Sequence, residues 1–85
     1  MTADARAAVR GFIRGLLNEQ DDRGDFHDDD SLIRSGRLDS LAVTKIVMFL
    51  ESVFEVDFAE IEFDPERLDS VDAMVAVIDE SRVNR

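Results

Sequence analysis

Apolar residues recur along the chain at helical spacing in three stretches. Val9, Phe12, Ile13, Leu16 and Leu17 stand at i, i+3, i+4, i+7 and i+8, one apolar face of a helix over about Ala3 to Asn18. Arg6, Arg10 and Arg14 repeat every four residues on another face, and the expectation for them is a solvated stripe, not a binding site. Val43, Ile46, Val47, Leu50, Val53 and Phe54 form the inward stripe of a second helix, from Asp39-Ser40 to about Phe54. Met48 and Glu51 fall off that stripe and should face solvent or a partner. A last helix opens at Asp69-Ser70, turns Val71, Met74, Val75 and Ile78 inward, and ends near Arg82-Val83-Asn84-Arg85. Basic residues there complement the negative end of the helix dipole.

Residues 19–31 make a polar, Asp-rich loop containing Gly24, and a loop of that length needs anchors, for which Leu32, Ile33 and Leu38 are the candidates. Asp39 suits an N-cap, its carboxylate accepting amides that the first turn leaves unpaired. The stretch Glu55 to Leu68, with Val56, Phe58, Ile61 and Phe63, is too interrupted for a full helix but has room for one or two turns. Asp64-Pro65 reads as a cap followed by proline at the first helical position, where a missing N–H costs nothing. Strand-like alternation is nowhere sustained, with Val56 to Ile61 the one ambiguous patch. The expected fold is all-α: three main helices, one short helix and a long first loop. There is no internal repeat, although the triplet Leu-Asp-Ser occurs at both 38–40 and 68–70.

Composition narrows the function. A chain of 85 residues forms one small domain and cannot easily enclose a deep catalytic cavity, so an enzyme is not expected. There is no cysteine, hence no disulfide and no thiolate metal site. No apolar run approaches the length of a membrane helix, and Met1-Thr2-Ala3-Asp4-Ala5-Arg6 lacks the order of a secretory signal. A cytoplasmic monomer without membrane insertion is the expectation. The formal charge of −10 argues against nucleic acid, which needs clustered Lys and Arg, and favours partners with basic docking surfaces.

Ser40 is the residue where this pattern meets chemistry. It follows a glycine-containing loop and opens an amphipathic helix, where free amides and partial positive charge suit a phosphate. It lacks the surroundings of a nucleophile. The single histidine, His27, lies in the acidic loop, no Gly-x-Ser-x-Gly elbow is present, and Lys45 points elsewhere on the helix. Ser40 is a serine to be acted upon. Asp-Ser before an apolar helix is also a common capping signal, so the triplet alone says little.

The wider context says more. Gly36-Arg37-Leu38-Asp39-Ser40-Leu41 resembles the attachment motif of acyl and peptidyl carrier proteins, in which the serine opens the second helix of a four-helix bundle after a long first loop. Ile46-Val47-Met48-Phe49-Leu50-Glu51 with Val53-Phe54 resembles the family's second helix, and Ser70-Val71 the pair opening its last one. The similarity covers roughly residues 5–80, and the whole of 1–85 would be a single carrier domain.

The resemblance implies that Ser40 bears a covalent 4′-phosphopantetheine arm, installed from coenzyme A by a phosphopantetheinyl transferase with Mg²⁺. An acyl- or aminoacyl-activating ligase would load the arm's thiol as a thioester, and downstream synthase or transferase enzymes would take the cargo. Asp39 and Leu41 flank the attachment site, Met48 and Glu51 belong to the docking face, and Val43, Val47 and Ile61 are candidates to shelter a short acyl chain. Ser70, in the second Leu-Asp-Ser, is expected to be a cap.

Fatty-acid carriers are typically acidic two and five residues after the serine, where this chain has Ala42 and Lys45. The connection Phe58-Ala59-Glu60-Ile61-Glu62-Phe63-Asp64 is also longer than in that subfamily. The first feature weakens the resemblance to a general fatty-acid synthesis carrier, and the second is more similar to free-standing carriers serving a dedicated ligase. A helical interaction module that is never modified is the alternative of another class. A calcium site in the loop fails on spacing: counted from Asp21, position 3 is Arg23, position 6 Phe26 and position 12 Leu32.

Overall fold

The computed structural model describes residues 2–58 and 64–83, with side chains at 5–58 and 64–82. Among these residues the chain is all-helical, without strands: α1 (Thr2–Glu19), α2 (Ser40–Phe54), a single 3₁₀ turn (Pro65–Leu68) and α3 (Val71–Val83).

The apolar stripes become the core. Ala5, Val9, Ile13, Leu16 and Leu17 of α1 are buried in it, and among the described elements α1 packs most extensively on α3. From α3 come Val71, Met74, Val75 and Ile78, together with Val77, which the stripe did not include. The 3₁₀ turn also packs on α3 and adds Leu68, which widens the face that α3 must bury. α2 contributes Ala42, Ile46 and Leu50. It is fastened to α1 by long side chains. The Phe12 and Phe49 rings stack with centroids 4.2 Å apart, Phe49 meets Phe54 edge-on, and Lys45 Nζ reaches Glu19 Oε1 at 3.0 Å.

The helix ends follow the local chemistry. Asp39 caps α2, its carboxylate accepting the Ala42 amide at 2.9 Å. α2 stops where Glu55 turns left-handed (φ 57°) and its N–H donates to the Leu50 carbonyl. The Val56 amide donates to the same oxygen, and the buried Val56 side chain closes the turn. Asp64 caps the 3₁₀ turn with Pro65 in its first position.

In the long loop, Leu32 and Leu38 are the buried anchors, joined by a Leu38 N–H to Leu32 C=O bond, while Ile33 is half-buried. Gly36 closes the tight turn begun at Ile33 with φ +88°, a conformation that a side chain resists.

Two readings of the stripes are corrected. The arginine stripe is not merely solvated: it holds the acidic loop on α1. Arg6 donates to Asp28 and to Asp72 of α3, and Arg10 donates to Asp28. Arg14 donates to the Asp22 and Gly24 carbonyls. Phe26 is buried beneath the Arg10 and Arg14 guanidiniums, 4.5 and 5.5 Å from its ring centre. Val53 does not face inward. It is 56 % exposed, because α2 ends one residue later and no described element covers its last turn on that side. Ile61 and the rest of 59–63 lie outside the described residues. No helix among those described is long and apolar enough to cross a membrane.

Gly11 and Gly15 sit inside α1 with open space where a Cβ would go. Alanine at either position should stabilise the protein by about 0.5–1 kcal/mol, read as a raised denaturation midpoint at unchanged m-value.

Acid should loosen this fold. Burial alone would raise the Asp28 carboxyl, but the Arg10 and Arg6 guanidiniums outweigh it and hold it below the usual carboxylate range. Burial works against Asp69 in the same way and is outweighed by the Arg34 amide, the Ser31 hydroxyl and the Ile33 amide. A carboxyl depressed on folding stabilises the folded state above its unfolded pKa, about 3.9, and loses that contribution as pH falls through its folded value. Thermal midpoints at fixed ionic strength are expected to stay level from about pH 7 to 5 and to fall below about pH 4. Asp28→Asn should flatten that fall.

Candidate functional site

Ser40 is the first residue of α2 and is exposed. Its carbonyl accepts the Thr44 hydroxyl at 3.1 Å, while its own hydroxyl bonds to no described residue. Ser70 differs: its Oγ accepts the Ala73 amide at 3.1 Å and closes the first turn of α3. The division of labour in the first triplet explains this. Asp39 already supplies the cap, which frees the following serine. In the second triplet Asp69 is turned away. Its carboxylate accepts the amides of Ile33 and Arg34, each at 2.9 Å, and its carbonyl accepts that of Leu32. Ser70 is left to cap.

Apolar surface borders Ser40 on one side, and a second apolar groove lies further along α2. An open cleft of about 630 Å³ is walled by Ile33, Leu38, Val43 and Pro65, with Asp39, Ser40 and Thr44 along it. On the α1 side, Phe12, Leu16, Met48, Phe49 and Val53 line a second groove of about 340 Å³, with the Lys45–Glu19 pair at its edge. Leu41 and Met48, two turns apart on α2, are 63 % and 59 % exposed, and Glu51 is exposed as well.

The expected site residues are only partly brought together. Asp39 and Val43 lie on the cleft with Ser40. Leu41 lines a smaller hollow beside Asp39 and Lys45. Val47 is half-buried, packs on the core and does not line the cleft. Met48 and Glu51 face outward, as their position off the stripe implied. Among the described residues, no group of three or more His, Asp or Glu side chains is placed to hold a metal ion.

The first turn of α2 carries no acidic residue, so its amides and dipole are offset only by the capping Asp39. Asp39→Ala should cost about 1 kcal/mol and fray the turn that bears Ser40, visible as faster amide exchange at 40–43.

Sequence reasoning missed Asp22, Asp28, Arg37 and Asp69 as organisers of the loop. Their side-chain pairings span 15 positions for Asp22 with Arg37, 22 for Asp28 with Arg6 and 36 for Asp69 with Ile33, beyond any local spacing rule.

Fold and site together define an all-helical domain that displays a serine at a helix start beside an apolar cleft. No protein-family model, curated protein or solved structure matches the chain.

Proposed function

We propose that this chain is a carrier protein of the acyl- or peptidyl-carrier type, a four-helix bundle in which the described 3₁₀ turn marks the short helix. Ser40 carries a 4′-phosphopantetheine arm. The observation that carries this reading is the contrast between the two Leu-Asp-Ser triplets: Ser70 is consumed as a cap, whereas the Ser40 hydroxyl is exposed and has no partner among the described residues.

In the reaction the Ser40 hydroxyl attacks the coenzyme A phosphorus that bears the pantetheine. A phosphodiester forms at Oγ, the bond to the adenosine bisphosphate breaks, and the serine proton passes to a base of the transferase. The amides at the start of α2 suit the new phosphate. With no cysteine in the chain, the arm supplies the only thiol. A ligase loads that thiol with an acyl or aminoacyl group, and a synthase or transferase removes it, all in the cytoplasm. Ala42 and the paired Lys45 favour a dedicated pathway over general fatty-acid synthesis.

The test is to treat the purified protein with a broad-specificity phosphopantetheinyl transferase, coenzyme A and Mg²⁺. Intact mass should rise by one phosphopantetheine, and peptide mapping should place it on Ser40. A protein that gains no mass would sink the proposal. The exposed Leu41–Met48–Val53 stripe would then favour an unmodified interaction module.

A further inference from the structure

Three residues before Ser40, the Arg37 side chain folds back over the start of the long loop. Its Nε donates to Asp22 Oδ2 at 2.9 Å and its Nη2 to Asp22 Oδ1 at 3.1 Å, a two-pronged grip on one carboxylate. Nη2 also donates to the Gly24 carbonyl at 2.9 Å, and Nη1 to the Asp25 carbonyl at 3.1 Å. The guanidinium thus serves one side chain and two backbone oxygens.

The far side of that segment is held by α1. Arg14 donates to the Asp22 carbonyl at 2.7 Å and to the same Gly24 carbonyl at 3.0 Å. Residues 22–24 are therefore gripped between two arginines, one on the helical scaffold and one on the approach to α2. Gly24 fits this space closely: a Cβ there would stand 3.3 Å from Asp22 Oδ1 and 3.5 Å from Arg37 Nη2. Gln20 adds a bond from the end of α1 to the Arg37 carbonyl at 3.2 Å.

We propose that Arg37 is a positioning residue, which locks the acidic loop to the first turn of α2 and so fixes how Ser40 is offered to the enzyme that modifies it. The proposal rests on the carrier reading. Lysine cannot replace the grip, because a point charge on a flexible stem lacks the planar fork that serves three acceptors at once.

Two measurements test this. Amide hydrogen exchange, which needs no transferase, should speed up about tenfold or more at 22–25 and 37–40 in Arg37→Gln, with the centres of α1 and α3 unchanged. Steady-state modification should show a raised KM for the carrier with kcat little changed, lowering kcat/KM about three- to tenfold, because a loosened serine must be ordered on docking. Arg37→Lys should recover little of either effect. Arg23→Gln makes the same charge change in the same loop, at an exposed side chain with no described partner, and should leave both readouts at the wild-type level. The proposal is overturned if Arg37→Gln exchanges and is modified like the wild type, or if Arg23→Gln loses as much kcat/KM, which would make the effect one of charge alone. A wild-type protein that no transferase modifies overturns the carrier reading itself, and with it this role for Arg37.

Discussion

Alanine at Ser40 should abolish attachment of the arm and leave stability unchanged, whereas alanine at Ser70 should leave attachment in place and lower stability. Both serines follow Leu-Asp and both open a helix, yet only Ser70 spends its oxygen on the Ala73 amide. Removing that cap should cost about 1 kcal/mol, within the usual range of 0.5–2 for a helix N-cap, and lower the thermal midpoint by several degrees in a domain of this size. Ser40→Ala removes an exposed hydroxyl without a described partner, and a change of that kind stays within about 0.5 kcal/mol. Intact mass after transferase treatment, with thermal melts of the same samples, reads both halves. A Ser70→Ala protein that loses modification while remaining folded would contradict the assignment, as would a Ser40→Ala protein that still gains mass.

The second large effect is expected in the core under Ser40. Ile46 is fully buried one and a half turns into α2. Ile46→Ala should cost about 2–5 kcal/mol, the lost transfer energy plus the cavity left behind. Domains of this kind are stable by only about 5–15 kcal/mol in total, so the thermal midpoint should fall by more than about 10 °C. Ile46→Val removes one methylene and should cost only about 0.5–1.5 kcal/mol. Chemical denaturation of the pair separates packing at this position from any general intolerance of α2.

Helix positions were legible in the sequence because each helix buries one face. Val9, Ile13, Leu16 and Leu17 were enough to locate α1, and Ile46 and Leu50 to orient α2. Asp39 and Asp64 were legible as caps because a cap bonds within its own turn. The misreadings involve partners remote in sequence. Arg6, Arg10 and Arg14 have the same spacing whether they face water or a loop, and only the placement of Asp22, Phe26 and Asp28 decides between the two. Phe26 is surrounded by acids in the sequence yet buried in the fold, because two arginines cover it. Val53 continues the stripe of α2 correctly, but a stripe is buried only where another element lies over it. At the site, Ser40 stood out through its motif. The different fates of the two triplets did not, since Asp69 is diverted by amides 35 and 36 residues upstream.

The attachment of α2 to α1 has one further consequence. Outside the shared core, the two helices meet through the Phe12–Phe49 stack and the Lys45–Glu19 pair, while α1 and α3 approach each other closely. Stacked rings slide at small cost, and an exposed ion pair can re-form at a neighbouring angle. The helix that carries Ser40 is thus keyed to the shared core through Ala42, Ile46 and Leu50, while its outer seam with α1 rests on contacts that tolerate small adjustments.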